Sequence, residues 1–526
     1  MNKILSITCA LVVLAAVLTS CQKNYEELYQ NPNKPTTSTP ALNLGGVLKD
    51  MLVNPSGMEE RWAQYYLINY DYYGNNRYDF GTATMNYTTL SNVVKMEEEA
   101  QKLGYPERNP YTALGKFFRA YFFINMSLKV GDVPMTDALK GVADMTPAYD
   151  AQKKVFTQSL AWLEEANTDL TELIKSGDET LTGDYYLNND MKRWQKVVNT
   201  FRLRVLMHLS LKADDAELKV KQQFADILAN PTRYPLMTSA ADNLQFTYVF
   251  PTDLYPNNPG NFGFDALRYN TSATYIKLLT DRKDPRVFIT AEPAGAQIKN
   301  GVSPTSFNAF VGANPGEDLG EMYTKTNLGV HSLLNRKHYY DTFTGEPAII
   351  IGYAEMLFTI AEGINRGWAT SGVLGGAEAY YQAGIQASMD YYKIPSSGDM
   401  QVYFLDFKDA SLGNYVTYTV PVDFASYYAQ PLVKYAADAT TGLNQILTQK
   451  YLAMFRQSGL EPYYTYRRTG QPAFSTGPGT GNSGRIALRF KYPTVESAAN
   501  SANYNDALSR QYAGNDDINA KMWLIQ

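Results

Sequence analysis

From residue 41 to about residue 230, apolar side chains recur at steps of three and four, and this period constrains the possible folds more than any other feature of the chain. A 3.6-residue period gathers residues i, i+3, i+4 and i+7 on one helix face, which must then be buried against another element. In NNDMKRWQKVVNTFRLRVLMHLSL, Trp194, Val197, Phe201, Val205 and Leu209 form such a stripe, and Asn189 or Asp190 can cap its start. The spacing predicts further helices over residues 111–131, 151–177, 348–367 and 375–393. Helices arrive in pairs across short Gly, Pro or Asp turns, so the expected fold is all-α, built from stacked helical hairpins. A clean 34-residue tetratricopeptide period is not visible in the residues themselves. Residues 243–271, 292–336 and 399–431 are rich in Asn, Gly, Pro, Tyr and Phe, lack helical period, and read as large loops or short strands. Loops of that length inside a compact domain are usually functional.

The N-terminus carries a different signal. MNKILSITCALVVLAAVLTSCQ has one positive charge at Lys3, an apolar run over residues 4–18, and then Leu18-Thr19-Ser20-Cys21. The run is shorter than the ~20 residues of a membrane-spanning helix and small residues follow it, so residues 1–20 read as an export signal. Leu-Thr-Ser-Cys resembles a bacterial lipobox, which would leave Cys21 as a lipid-bearing first residue. Cys9 lies inside the removed segment, so Cys21 would be the only remaining thiol and no disulfide is expected. Residues 21–40 are polar and rich in Pro and Thr, which suits a flexible leash, and residues 41–526 read as one helical domain. Glu26-Glu27 resembles the signal that sends lipoproteins of Bacteroidetes-type bacteria to the outer face of the outer membrane.

A net charge of -5 with no run of Lys or Arg offers no phosphate-neutralising stripe, so nucleic acid is not an expected partner. His208, His331 and His338 are the only histidines. The first falls in the predicted Trp194 helix and the other two lack an HExxH or Cys companion, so neither a metal nor a cofactor is expected. Gly479-Thr-Gly481-Asn-Ser-Gly484 matches G-x-G-x-x-G but is not set between a strand and a helix, and reads as a loop. Glu355 and Glu362 are seven residues apart on one predicted helix, about 10 Å at ~1.5 Å per residue. They read as capping or salt-bridge residues rather than a hydrolytic pair.

Several segments, in order over nearly the whole mature chain, resemble the SusD/RagB family of surface nutrient-binding lipoproteins. They are Asn31-Pro32-Asn33; Trp194, Lys196, Asn199, Leu203 and Arg204; and Leu279 with Asp284-Pro285-Arg286. Pro347, Tyr353-Ala354-Glu355, Ala361-Glu362 and Arg366-Gly367 follow, then Tyr381, Gly384-Ile385 and Ala387-Ser388. Gln449-Lys450-Tyr451, Tyr466-Arg467-Arg468-Thr469-Gly470 with Pro472, Tyr492-Pro493 with Glu496, and Asn500 with Asn503-Tyr504 complete the series. Ala487 departs from the pattern where the family often has proline. The resemblance implies four tetratricopeptide-like hairpins, an irregular portion carrying the ligand surface, no catalysis, and a SusC-like TonB-dependent transporter as partner in the outer membrane. It also implies a ligand site built partly after the first helix and partly from a mid-chain loop.

Both regions have a suitable composition. YYLINYDYYGNNRYDF, residues 65–80, packs six tyrosines into sixteen positions, although a buried phenol needs a partner for its hydroxyl. Tyr65, Tyr66 and Tyr70 are expected to pack at helical spacing. Tyr72, Tyr73, Asn75, Asn76, Arg77 and Tyr78 either build the turn or bind ligand. In the mid-chain loop Tyr255, Asn257, Asn258, Phe262 and Phe264 repeat the mixture of aromatics and amides. Aromatic platforms beside amide and guanidinium donors suit a sugar, which has an apolar face and a hydroxyl edge. The expected function is capture of an oligosaccharide for delivery to the transporter. A peptide ligand is the first alternative and a surface glycoside hydrolase the second.

Overall fold

The computed structural model describes residues 38–409 and 411–526. The expected export signal, Cys21 and most of the expected leash therefore lie outside the described residues. The fold is mostly helical, as the period predicts. Helix α1 (Pro40–Asp50) starts at Thr39, whose hydroxyl accepts from the Leu42 amide, and it packs against α2 (Tyr87–Lys102). Helix α3 (Pro110–Val130) opens with a capping box between Asn109 and Thr112 and stops at Gly131. It pairs with α4 (Gln152–Ser176), which ends at Gly177 in the left-handed conformation. Helix α5 (Met191–His208) is capped by the Asp190 carboxylate and packs on α4. After α6 (Val220–Ala229), helices α7 (Tyr353–Asn365) and α8 (Ala377–Tyr391) form another pair, and α9 (Thr441–Ala453) lies against both. Helix α10 is Glu461–Thr469. Contact of α5 with α7 joins the earlier hairpins to the later ones.

Two expectations are corrected, and a third is decided between its alternatives. Tyr66 lies in strand β1 (Tyr66–Ile68), not on a helix, and Tyr65 directly precedes it. Residues 348–351, expected to begin a helix, form a buried strand that pairs with Leu244–Phe246. Three consecutive β-branched isoleucines favour that pairing over a helical turn. Residues 399–431, read as large loops or short strands, hold most of two nine-residue strands, Ser397–Leu405 and Tyr415–Asp423, paired antiparallel. Met400, Val402 and Phe404 face the core and Gln401 faces solvent, a period of two that the Gly- and Asp-rich composition hides.

Several of the residues that carry the family resemblance meet inside the helical scaffold. Arg204 of α5 bonds Glu355 of α7 through Nε at 2.7 Å and the Ile350 carbonyl through Nη2 at 2.9 Å. Arg468 of α10 grips Glu362 with two parallel hydrogen bonds of 2.6 and 2.9 Å, and Arg366 adds a third contact. Lys450 donates to the Thr359 hydroxyl at 3.0 Å, and His208 faces Glu461 at 3.1 Å. Burial raises the Glu362 carboxyl, but the surrounding guanidiniums and the Lys450 ammonium outweigh it and hold the group at about 2. Arg286, fully buried, is held by Asp284, Ser388 and Gln449. Glu355 and Glu362 are thus salt-bridge residues of stacked hairpins.

Candidate functional site

Two segments just over two hundred residues apart are brought together by one short ladder. Strand β1 pairs antiparallel with residues 269–271, Tyr66 opposite Thr271 and Ile68 opposite Tyr269. Asn69 extends the junction: its amide N–H donates to the Arg268 carbonyl at 3.1 Å, and its Nδ2 donates to the Leu267 carbonyl and to Asn270 Oδ1, both at 2.8 Å. The turn after β1 and the loop before Tyr269 therefore emerge side by side. The Tyr73 hydroxyl ties them again by donating to the Phe264 carbonyl.

The turn is a single 3-10 turn over Asp71–Tyr73, closed by Gly74 at φ 118. A Cβ at position 74 would sit 3.0 Å from Arg61 Nη1, so glycine meets both the dihedral and the space. Arg61 Nη1 donates to the Asn75 carbonyl at 2.9 Å and fixes the exit of the turn. Beyond it the chain runs extended, with Asn76, Tyr78 and Phe80 inward and Asn75, Arg77 and Asp79 outward. That alternation is already present in NNRYDF and is the signal that could have separated the two sets.

The structure divides the eleven candidate residues. Tyr72 is 82% exposed and Phe264 72% exposed, and both project as open rings. Tyr73 is half-buried with its ring edge-on to Tyr72. Asn75 is exposed, and Arg77 is exposed but ion-paired with Asp79. Phe262 is half-buried against Tyr340.

The remaining five are corrected to structural roles. Asn76 is buried and pairs with both backbone groups of Ile68, accepting at 2.9 Å and donating at 2.8 Å, as a neighbouring strand would. The Tyr78 hydroxyl donates to the Trp62 carbonyl at 2.9 Å and accepts from Gln64. The Tyr255 hydroxyl accepts from Arg456 Nη2 at 2.9 Å, and burial pushes that phenol up despite the guanidinium. Asn257 accepts from Arg456 and donates to the Tyr340 hydroxyl, and Asn258 donates to the Tyr255 carbonyl at 2.7 Å. Long segments without ladders leave backbone groups that must be paired, and asparagine is suited to pair them. The amide-rich composition therefore reports loop wiring as much as ligand chemistry.

Sequence reasoning missed three members of this face. Tyr70 lies 5.3 Å from Tyr323 in a stacked arrangement, although Tyr323 belongs to a helix 253 positions later. The Arg268 guanidinium sits 4.9 Å over the Tyr70 ring and 5.8 Å from that of Tyr73. Leu267, 53% exposed, lies beside it in the chain. Tyr323 has no local cue, whereas Arg268 stands at the end of the aromatic mid-chain loop, and that position is the signal that could have found it.

The histidines build nothing comparable. His208 and His338 pair with Glu461 and Glu346, and His331 contacts Asn270 at 3.4 Å. Among the described residues no group of three His, Cys, Asp or Glu side chains could hold a metal ion. No helix among them is long and apolar enough to cross a membrane.

The family model described as starch-binding and associating with the outer membrane matches residues 32–493. A SusD homologue from Bacteroides fragilis is 31% identical, with 93% of this chain and 100% of that one covered and a TM-score of 0.79. A second from the same species is 30% identical over the same shares, with a TM-score of 0.75. A chitin-binding SusD homologue from Flavobacterium johnsoniae, 20% identical, shares the fold at a TM-score of 0.67, with 93% of this chain and 98% of that one covered. A comparison with curated protein sequences found no match.

Proposed function

Because the chain belongs to the SusD-like family, whose model is described as starch-binding and associated with the outer membrane, we propose that it captures an oligosaccharide on the aromatic face around Tyr72 and Phe264. The observation that carries this reading is the pair of open rings on adjoining loops, held in place by a bond from Tyr73 to the Phe264 carbonyl. A solvent-facing aromatic ring offers its face to the axial hydrogens of a sugar. Side chains fixed by buried amide networks keep the two platforms in place before ligand arrives, which reduces the ordering cost of binding.

The face is open rather than enclosed, which suits a chain-like ligand that extends past its contacts and is handed on intact. Delivery to a SusC-like TonB-dependent transporter, anchoring through lipid on Cys21, and binding without turnover belong to the same reading. Residues 41–526 act in it as one unit above the leash.

Calorimetric titration of the full chain in detergent with maltohexaose, chitohexaose and a mixed peptide panel tests it, with products checked for cleavage. Saturable binding of an oligosaccharide without cleavage is expected, weakened at least tenfold by Tyr72→Ala with Phe264→Ala. Cleavage, binding of peptides alone, or unchanged glycan binding in the double variant would overturn it.

A further inference from the structure

The chemistry beneath the aromatic face differs from what a neutral sugar needs. Three arginines approach it: Arg268 over Tyr70 and Tyr73, Arg61 behind Gly74, and Arg456 against Tyr66, Tyr255 and Tyr339. Among the described residues neither Arg268 nor Arg61 has a carboxylate oxygen within 4.0 Å, and Arg456 reaches only Glu60, at 4.0 Å. Arg61 Nε, Arg268 Nε and Arg456 Nη1 are all buried without a hydrogen-bond partner. Guanidinium N–H groups normally find acceptors, and these three are unmet among the described residues.

The buried carboxyls of the region make no close ion pair with Arg268 or Arg61 among the described residues. Burial raises both Glu60 and Asp265 towards their neutral forms, and Asp265 Oδ1 also lacks a partner. Asp71, on the turn itself, is exposed to water and pairs with no guanidinium. Arg77 is neutralised by Asp79 and stands apart from this group.

We propose that the oligosaccharide taken by this face is acidic, bearing a carboxylate or sulfate substituent that pairs with the half-buried, uncommitted guanidinium of Arg268 while neighbouring residues stack on Tyr72 and Phe264. Planar guanidinium groups match both anions in a forked geometry, and the flanking tyrosine rings lower the local dielectric around the pair. This inference rests on the capture reading above and narrows it to a substrate class.

The experiment is a titration of the full chain in detergent with tetragalacturonate, a chondroitin sulfate tetrasaccharide and maltotetraose, at low and at physiological salt. The acidic probes are expected to bind at least tenfold more tightly than maltotetraose at low salt, with the advantage shrinking as salt screens the pair. Arg268→Gln should remove that advantage, while Arg268→Lys restores part of it. Preference for tetragalacturonate alone identifies a carboxylate, and preference for the sulfated probe alone identifies a sulfate; either supports the inference. The salt dependence of the unaltered chain tests the same ion pair if the variants fail to fold. Maltotetraose binding as tightly as the acidic probes would overturn the inference and leave the capture reading standing. Failure of all three probes, together with the neutral hexamers, would overturn the capture reading itself.

Discussion

The interior of the helical scaffold and the aromatic face both concentrate arginine, but they treat it in opposite ways. In the scaffold Arg204, Arg286 and Arg468 each meet a carboxylate through short hydrogen bonds at almost zero exposure. At the face Arg268 lies over tyrosine rings and makes no ion pair among the described residues. A buried charge costs several kcal/mol in desolvation unless ion pairs or hydrogen bonds offset it. A guanidinium near the surface can stay unpaired, since water and a ring face meet part of its need. Arg204, Glu355, Glu362 and Arg468, which carry the family resemblance, fall in the first region and serve the scaffold, while the proposed ligand face is built from residues outside those segments.

The largest expected effect tests the scaffold half of this contrast. Glu362→Gln leaves Arg468 and Arg366 without a counter-charge in a buried site, and a loss of about 3–5 kcal/mol in chemical denaturation is expected. The same carboxylate gives a pH signature. Its pKa is depressed in the folded state to about 2, from an ordinary 4.5, so its contribution is fully present above pH 4.5 and is lost as pH falls through about 2. The acid limb of a stability titration should therefore be shallower in Glu362→Gln, and identical limbs would break the assignment.

An intermediate effect is expected where the loops are wired together. Tyr255→Phe removes the hydroxyl that accepts from Arg456 through Nη2 and Nε, and a hydrogen bond to a charged group contributes about 1.5–3 kcal/mol. Thermal unfolding should register that loss while oligosaccharide affinity, measured well below the transition, stays within about twofold. Reduced affinity at full folding would move Tyr255 from the supporting layer to the ligand face.

The smallest effect belongs to Arg77→Gln. Its ion pair with Asp79 is about half exposed, and exposed pairs contribute roughly 0–1 kcal/mol. Stability and binding of acidic probes should both be nearly unchanged. A marked loss of acidic-probe binding would mean that Arg77, not Arg268, carries the cation that matters.

Helices are legible wherever their ends bear punctuation: Asp190 before α5, Gly131 after α3 and Gly177 after α4 all stand where the sequence places them. Errors arise where two periods compete. Ala348–Ile351 abuts a true helix, and its run of isoleucines extends the apolar pattern without a break, so the strand passes for a helical turn. The loop face is legible in composition but not in orientation. Of YYGNNRY, Tyr72 projects outward while Asn76 and Tyr78 turn inward, because the extended segment alternates and composition does not. Tyr323 cannot be found from sequence at all, since only the folded backbone brings it to Tyr70.

The ladder between Tyr66–Ile68 and residues 269–271 also bears on the order of events during folding. Its partners are about two hundred residues apart, and the tyrosine preceding it donates its hydroxyl to the Tyr451 carbonyl at 2.7 Å, nearly four hundred residues away. Closing loops of that size has an entropic cost that local helical hairpins largely avoid. The early hairpins can form from contacts close in sequence, but the aromatic face requires chain from the first helix through the ninth. The aromatic face is therefore a late product of folding, and a truncated or half-folded chain would lack it.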